Sequence, residues 1–114
     1  MTLEGFHRTL EERGGEADIF VVYLEDAYET TIGEGFRLTP QKAFWTRGAA
    51  YAYSYKRNAL ALWHHLYVFR LHADAAWAAG TTLRALEFET VFTRANDLRR
   101  ITVTPEELAD LLDE

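Results

Sequence analysis

The sequence predicts an α+β protein with a mixed or mostly antiparallel sheet and short helices. Segments with strand character alternate with segments with helical character, and the last two strand segments are joined by a turn, as in a hairpin. The loops contain neither of the glycine-rich phosphate motifs of doubly wound nucleotide-binding folds. With 114 residues the chain has the size of one domain, so residues 1–114 are predicted to form a single domain.

The start of the chain is predicted to form a helix and then a buried strand. Residues 3–13 place apolar side chains on one helical face and precede Gly14 and Gly15, which predicts a short amphipathic helix. Residues 18–25 are β-branched and aromatic, and too few for a helix, so they predict a buried strand. A single helical turn is expected at residues 26–32.

The middle of the chain is predicted to place a long helix between extended segments. Residues 36–38 are expected to be extended, residues 39–40 to form a turn at Thr-Pro, and residues 42–46 to form a short strand. Residues 47–62 are rich in Ala and Leu and predict a helix. Residues 65–71 predict another strand.

The last third is predicted to contain a short helix and two strands. Asp74 can cap a helix at residues 75–79 that Gly80 ends. Residues 82–93 alternate between apolar and polar side chains, which predicts a long strand. A turn and a further strand at residues 98–103 follow.

The clearest local signal lies near the end of the chain. Thr104 is a favourable N-cap, Pro105 suits the first helical position, and Glu107 stands three residues after the cap. This pattern predicts a short helix that ends at residue 112.

Charge is distributed unevenly along the chain. No Asp or Glu lies between Glu34 and Asp74, and residues 36–73, here called the central block, carry a formal charge of +6. The flanks sum to −12, which gives the chain its net charge of −6. Because the central block is also rich in aromatic side chains, it suits a flat, anionic partner such as a nucleotide or a nucleic acid. Alternatively, the acidic flanks pack around the central block and neutralise it.

Composition excludes several kinds of site. The chain has no Cys and a single Ser, Ser54, so disulfides, thiolate metal sites and a serine or cysteine triad are excluded. Its four His residues lack the spacing of metal ligands, so no metal is expected. The sequence has neither an apolar run of about 20 residues nor a signal-peptide pattern. We therefore expect a cytoplasmic protein that does not act at a membrane.

Two glutamates are the candidate catalytic residues. Glu87 and Glu89 have the same parity on the strand predicted at residues 82–93, so their carboxylates lie about 7 Å apart on one face. One carboxylate could stabilise positive charge on a reacting sugar while the other orients a nucleophile. Alternatively, both are ion-paired on a solvated face with arginines of neighbouring strands, namely Arg84, Arg94, Arg99 or Arg100.

A second candidate site lies where a short aromatic strand runs into the central helix. Trp45 and Thr46 precede the helix start, whose free N–H groups suit a phosphate. Arg47 lies at that start, and Tyr51 or Tyr55 could stack on a base or a nicotinamide ring. Alternatively, these aromatic side chains belong to the core.

Taken in order, three pieces of the sequence resemble the ADP-ribosyltransferase fold over about residues 19–106. The first is a strand, Val21-Val22-Tyr23-Leu24, that leads to Gly35-Phe36. The second is the segment ending in Trp45-Thr46 before an Ala/Tyr-rich helix, and the third is Glu87-Phe88-Glu89 before a last strand. In size the chain is similar to the compact bacterial and phage members. The Arg or His that the family's first strand normally offers is absent, since Tyr23-Leu24-Glu25-Asp26 stands there.

The resemblance implies a bent sheet, split around a cleft that holds NAD, and transfer of ADP-ribose to an unknown acceptor. Glu89 would bind the ribose 2′-hydroxyl and stabilise the transition state, Glu87 would position the acceptor, and Thr46 would support Glu89. Trp45 or Tyr51 would pack on nicotinamide. The residues expected to bind the cofactor are Tyr23, Phe36, Trp45, Thr46, Arg47, Tyr51 and Tyr55.

Two non-catalytic functions remain open on the same kind of fold. The central block could bind a nucleotide or a single-stranded nucleic acid. Alternatively, the chain could be an acidic inhibitor or antitoxin whose flanks cover a basic protein partner.

Overall fold

A computed structural model describes residues 1–30, 33–60, 65–89 and 101–112 of the chain. The helices are α1 (Leu3–Glu12), α2 (Arg47–Leu60), α3 (Ala75–Ala78) and α4 (Pro105–Leu111). The strands are β1 (Glu16–Thr30), β2 (Gly33–Phe44), β3 (His65–Asp74), β4 (Arg84–Ala85), β5 (Glu87–Phe88) and β6 (Thr102–Val103).

The strands form two antiparallel sheets. Four strands pair in the order β2-β1-β3-β5, and β4 pairs with β6 in a separate two-stranded sheet. The predicted α+β fold with a mostly antiparallel sheet is confirmed, and the two sheets are consistent with a sheet split in two.

β1 is an inner strand of the larger sheet, paired with β2 and β3, and its residues 19–23 are buried on both faces. Ile19, Val21 and Tyr23 point into a core with α1, α3 and α4. Phe20 and Val22 point into a second core with α2, here called the α2-side core. A strand buried on both faces has a continuous apolar sequence, which explains why residues 18–25 are predicted to form a buried strand.

The long β1–β2 hairpin corrects two predictions. Residues 26–30 continue β1 in pairing with β2 and do not form a helical turn. The residues predicted to turn at Thr39 and Pro40 lie within β2, beside an irregularity in the ladder where Val22 pairs with Lys42 and Tyr23 pairs with Pro40. Because β2 is at the edge of the sheet, a proline without an N–H group is tolerated there.

The predicted strand at residues 82–93 is interrupted at Leu86. Arg84 and Ala85 pair with β6, whereas Glu87 and Phe88 pair with β3. Leu86 is buried at the crossing point, and its N–H donates to the Ile101 carbonyl at 2.8 Å. Residues 90–93, like residues 31–32, 61–62 and 98–100 of other predicted elements, lie outside the described residues.

The helix predictions hold closely. α1 ends before Gly14 and Gly15, which adopt φ values of 89° and 87° that side-chain-bearing residues rarely adopt. Asp74 caps α3 by accepting the Trp77 N–H. Thr104 starts α4 with a complete capping box, as its sequence predicts.

Candidate functional site

The two candidate glutamates lie together at the end of β5. Glu87 is directly opposite Arg70 of β3 in the strand register, and the Glu89 N–H donates to the Val68 carbonyl at 2.9 Å, which extends the pairing. The Glu87 side chain is 72% exposed, whereas that of Glu89 is only 17% exposed. The two carboxylates therefore share one face of the sheet but differ strongly in their access to water.

Arg70 connects the two carboxylates. Its Nη2 donates to Glu87 Oε2 at 2.7 Å, and its Nε lies 3.9 Å from Glu89 Oε2. The hydrogen bond to Glu87 raises the pKa of Arg70 above its ordinary value, so the guanidinium stays positively charged.

Arg47 reaches Glu89 from the first turn of α2. Thr46 caps this helix, since its hydroxyl accepts the Ala49 N–H at 3.2 Å. Ala50 and Phe20 pack in the α2-side core, which brings the helix start over the sheet. Arg47 then lies 5.1 Å over the Phe20 ring, and its Nε donates to Glu89 Oε1 at 2.5 Å.

These four side chains, Arg47, Arg70, Glu87 and Glu89, are called the glutamate–arginine array. The array carries two positive and two negative formal charges, so it is neutral as a unit. Each carboxylate is held by a guanidinium. The arrangement orients both carboxylates, each against a guanidinium.

A polar cleft of about 450 Å³ lies beside the array. It is lined by Asp18, Arg70, Leu71, His72, Arg84, Ala85 and Glu87. On one wall of the cleft, His72 Nδ1 is 2.8 Å from Asp18 Oδ1, and that hydrogen bond is the main cause of a raised pKa at His72. Arg84 closes one end by donating to the His72 carbonyl at 2.9 Å and to Asp74 at 3.1 Å.

Four of the residues predicted to bind a cofactor lie on α2 or at its start. Thr46 and Arg47 are at the helix start, with Arg47 in the array, but Arg47 rather than Thr46 holds Glu89. Tyr51 packs half-buried against the α2-side core. Tyr55 lies farther along the helix and is 74% exposed.

Two other predicted cofactor residues pack on the opposite face of the sheet. Tyr23 is 4% exposed and meets the Phe69 ring edge-on at 5.2 Å, and burial raises the pKa of its phenol to about 12. Trp45 stacks on Phe6 at 6.0 Å. The structure therefore does not bring these two rings together with the glutamates. The side chain of Phe36 lies outside the described part of the chain.

The arginines that pair with the glutamates differ from those expected. Arg84 pairs with Asp74, and the remaining expected partners, Arg94, Arg99 and Arg100, lie outside the described residues. Sequence reasoning missed Arg70 and His72 as site residues. Residues two positions apart on a strand share a face, but the predicted strand ends at residue 71, before His72. Only the strand register shows which acids Arg70 and His72 meet.

Part of the central block is neutralised by the acidic flanks. Arg47 and Arg70 pair with Glu89 and Glu87, and His72 pairs with Asp18. On the outer surface of α2, Lys56 and Arg57 are exposed, and no ion pair between described residues includes either.

The residues described hold no group of three or more His, Asp or Glu side chains arranged as metal ligands. None of the described helices has the length and apolar character needed to cross a membrane.

No family model, no curated protein and no solved structure matches the chain. The resemblance to ADP-ribosyltransferases therefore rests on the residues quoted above.

Proposed function

We propose that the protein is an NAD-dependent ADP-ribosyltransferase-like enzyme that transfers ADP-ribose to an acceptor. The observation that carries the proposal is the glutamate–arginine array beside a polar cleft, with one shielded and one exposed carboxylate. The two acids of the Glu-x-Glu motif thus have different environments, which suits different roles in one reaction.

The residues present suit NAD. Arg47 and Arg70 would bind the pyrophosphate, because guanidinium groups match phosphate oxygens in geometry and charge. In this proposal they replace the Arg or His missing from the first strand. Tyr51, half-buried on α2, would contact the nicotinamide ring in place of Trp45. The bound dinucleotide supplies a glycosidic bond whose cleavage releases nicotinamide.

Glu89 is proposed to stabilise the reacting ribose. Its carboxylate is 17% exposed and held by Arg47 at 2.5 Å, so it is oriented before a substrate arrives. A fixed carboxylate lowers the energy of the positive charge that develops on the ribose carbon. Glu87, at the open side of the array, is free to accept a hydrogen bond from the incoming acceptor if Arg70 turns towards the phosphates.

The test is nicotinamide release from NAD by the wild type and by Glu89→Gln. We expect release by the wild type and a loss of at least about 100-fold in the variant, because a positioned charge at the transition state is removed. Glu11→Gln is the matched control, because it makes the same chemical change at an exposed position on α1, and it should retain full activity. Circular dichroism would show that both variants are folded.

Two results would overturn the proposal. One is equal release by the wild type and Glu89→Gln, which would place the chemistry elsewhere. The other is no release by the wild type together with no change in its melting temperature on addition of NAD.

A second candidate function is binding of single-stranded nucleic acid by the outer surface of α2. Tyr55 is 74% exposed beside Lys56 and Arg57, and α2 contains no acidic residue. An exposed ring beside exposed cations suits a stacked base and its phosphates. Fluorescence anisotropy of a labelled oligonucleotide should then show an affinity that falls steeply with salt. The slope of log affinity against log salt concentration should be smaller by about 1 in Lys56→Gln.

A further inference from the structure

A histidine–carboxylate pair lies in the cleft next to the array. Asp18 on β1 and His72 on β3 are directly opposite in the strand register, and their side chains meet at 2.8 Å. Both remain accessible, with 55% of the His72 side chain and 48% of the Asp18 side chain exposed. The pair is thus held in place by the sheet and open to a ligand in the cleft.

The contact leaves one ring nitrogen of His72 for chemistry. With Nδ1–H donating to Asp18, Nε2 of the neutral ring carries the lone pair. Nε2 is 3.7 Å from Glu16 Oε2, which is longer than a hydrogen bond. This is the geometry of a base whose orientation is set by a carboxylate.

His72 also lies close to the proposed reaction centre. It stands two residues from Arg70 on the same face of β3, and Arg70 is directly opposite Glu87. The charged groups facing the imidazole are Glu16 and Asp18 of β1, Arg70 and Asp74 of β3, Arg84 of β4 and Glu87 of β5. The cleft therefore has a carboxylate and an imidazole on one wall, both beside the array.

We infer that His72, oriented by Asp18, is the general base that activates the acceptor, and that the acceptor is a hydroxyl group. This inference rests on the proposed function. The acceptor oxygen bonds to the ribose carbon as the bond from that carbon to nicotinamide breaks, with its electron pair leaving on nicotinamide. His72 Nε2 takes the proton that the hydroxyl loses. A carboxylate acceptor would have no proton to give, and such a base would then have no role.

The test is the pH dependence of nicotinamide release with water as the hydroxyl acceptor. In the wild type, kcat should rise with pH as His72 loses its proton, with a midpoint above the ordinary imidazole value of 6.5. His72→Gln should lower kcat by about 100-fold or more, remove this rise and leave KM for NAD unchanged. Asp18→Asn should move the midpoint downward, because the contact that raises the His72 pKa is weakened.

The outcomes separate this inference from the proposed function. If His72→Gln keeps the wild-type rate and pH profile while Glu89→Gln is inactive, the base role is wrong and the proposed function stands. If the wild type releases no nicotinamide and its melting temperature does not change on addition of NAD, both are wrong. An NMR titration of the imidazole, which should show the raised pKa in the wild type and its decrease in Asp18→Asn, establishes whether the kinetic midpoint belongs to His72.

Discussion

Arg70 illustrates how one side chain organises the site at the scale of single residues. Its side chain is 39% exposed, and its guanidinium faces both Glu87 and Glu89. A planar fork of N–H donors can serve two carboxylates at once, which a lysine ammonium does less well because it is a point charge on a flexible stem. Arg70 therefore lies between the two acids of the motif, with a hydrogen bond to Glu87 and with Glu89 at 3.9 Å.

Tyr23 is a buried residue whose ionisation should affect stability. Burial raises the pKa of its phenol to about 12 from 10.0, with a smaller contribution from Glu107. Between these two values the unfolded chain loses the phenolic proton and the folded chain keeps it, so stability falls as pH rises.

Between pH 8 and pH 11, ionisation of Tyr23 should therefore lower the free energy of unfolding of the wild type by about 1 kcal/mol. Urea unfolding at both pH values should show that Tyr23→Phe lacks this loss. Tyr55→Phe, at a position 74% exposed, should keep it. An equal loss in the wild type and in Tyr23→Phe would contradict the prediction.

At the scale of elements, α4 depends on its start. The helix has seven residues, too few to be stable alone, and begins with a reciprocal capping box. Glu107 N–H donates to the Thr104 hydroxyl at 3.2 Å, and Thr104 N–H donates to Glu107 Oε1 at 3.3 Å. The cap satisfies N–H groups that the first helical turn leaves without partners.

Thr104→Ala should lower the free energy of unfolding by about 1 kcal/mol, the usual effect of losing an N-cap hydroxyl. Chemical denaturation of the purified variant measures this change. Thr81→Ala, at an exposed position outside the helices and strands, is the matched control and should have little effect. Equal stability of the two variants would show that the box does not contribute.

At the scale of the whole molecule, the larger sheet separates two cores of unequal size. The core with α1, α3 and α4 includes Leu108 and Leu112, which are both buried. The Leu112 carbonyl also accepts a hydrogen bond from the Met1 ammonium at 3.0 Å. The smaller core lies under α2, next to the glutamate–arginine array. The larger core should thus provide most of the stability, and the smaller one should position the site.

Leu108→Ala should lower the free energy of unfolding by about 2–5 kcal/mol, because it removes buried methyl groups and leaves a cavity. Leu83→Ala, where the side chain is 61% exposed, makes the same chemical change and should cost less than about 0.5 kcal/mol. Thermal or urea unfolding compares the two. A small effect of Leu108→Ala would mean that α4 does not belong to the cooperative core.

Much of the fold could be predicted because its signals are local. The Gly14-Gly15 end of α1, the Asp74 cap and the Thr104 box each depend on residues within a few positions of one another. The predictions were wrong where a distant partner decides the conformation. Residues 26–30 stay extended because β2 pairs with them, and the strand breaks at Leu86 because it changes partners from β6 to β3.

The sequence by itself determined the α+β character, the starts of the four described helices and the shared face of Glu87 and Glu89, since helical and strand periodicities are properties of neighbouring residues. Only the tertiary structure decided which cations meet these acids, that His72 meets Asp18, and that Tyr23 and Trp45 belong to the opposite face. The physical reason is strand register. It joins residues as far apart as Asp18 and His72, and a shift by one residue would turn every side chain to the other face.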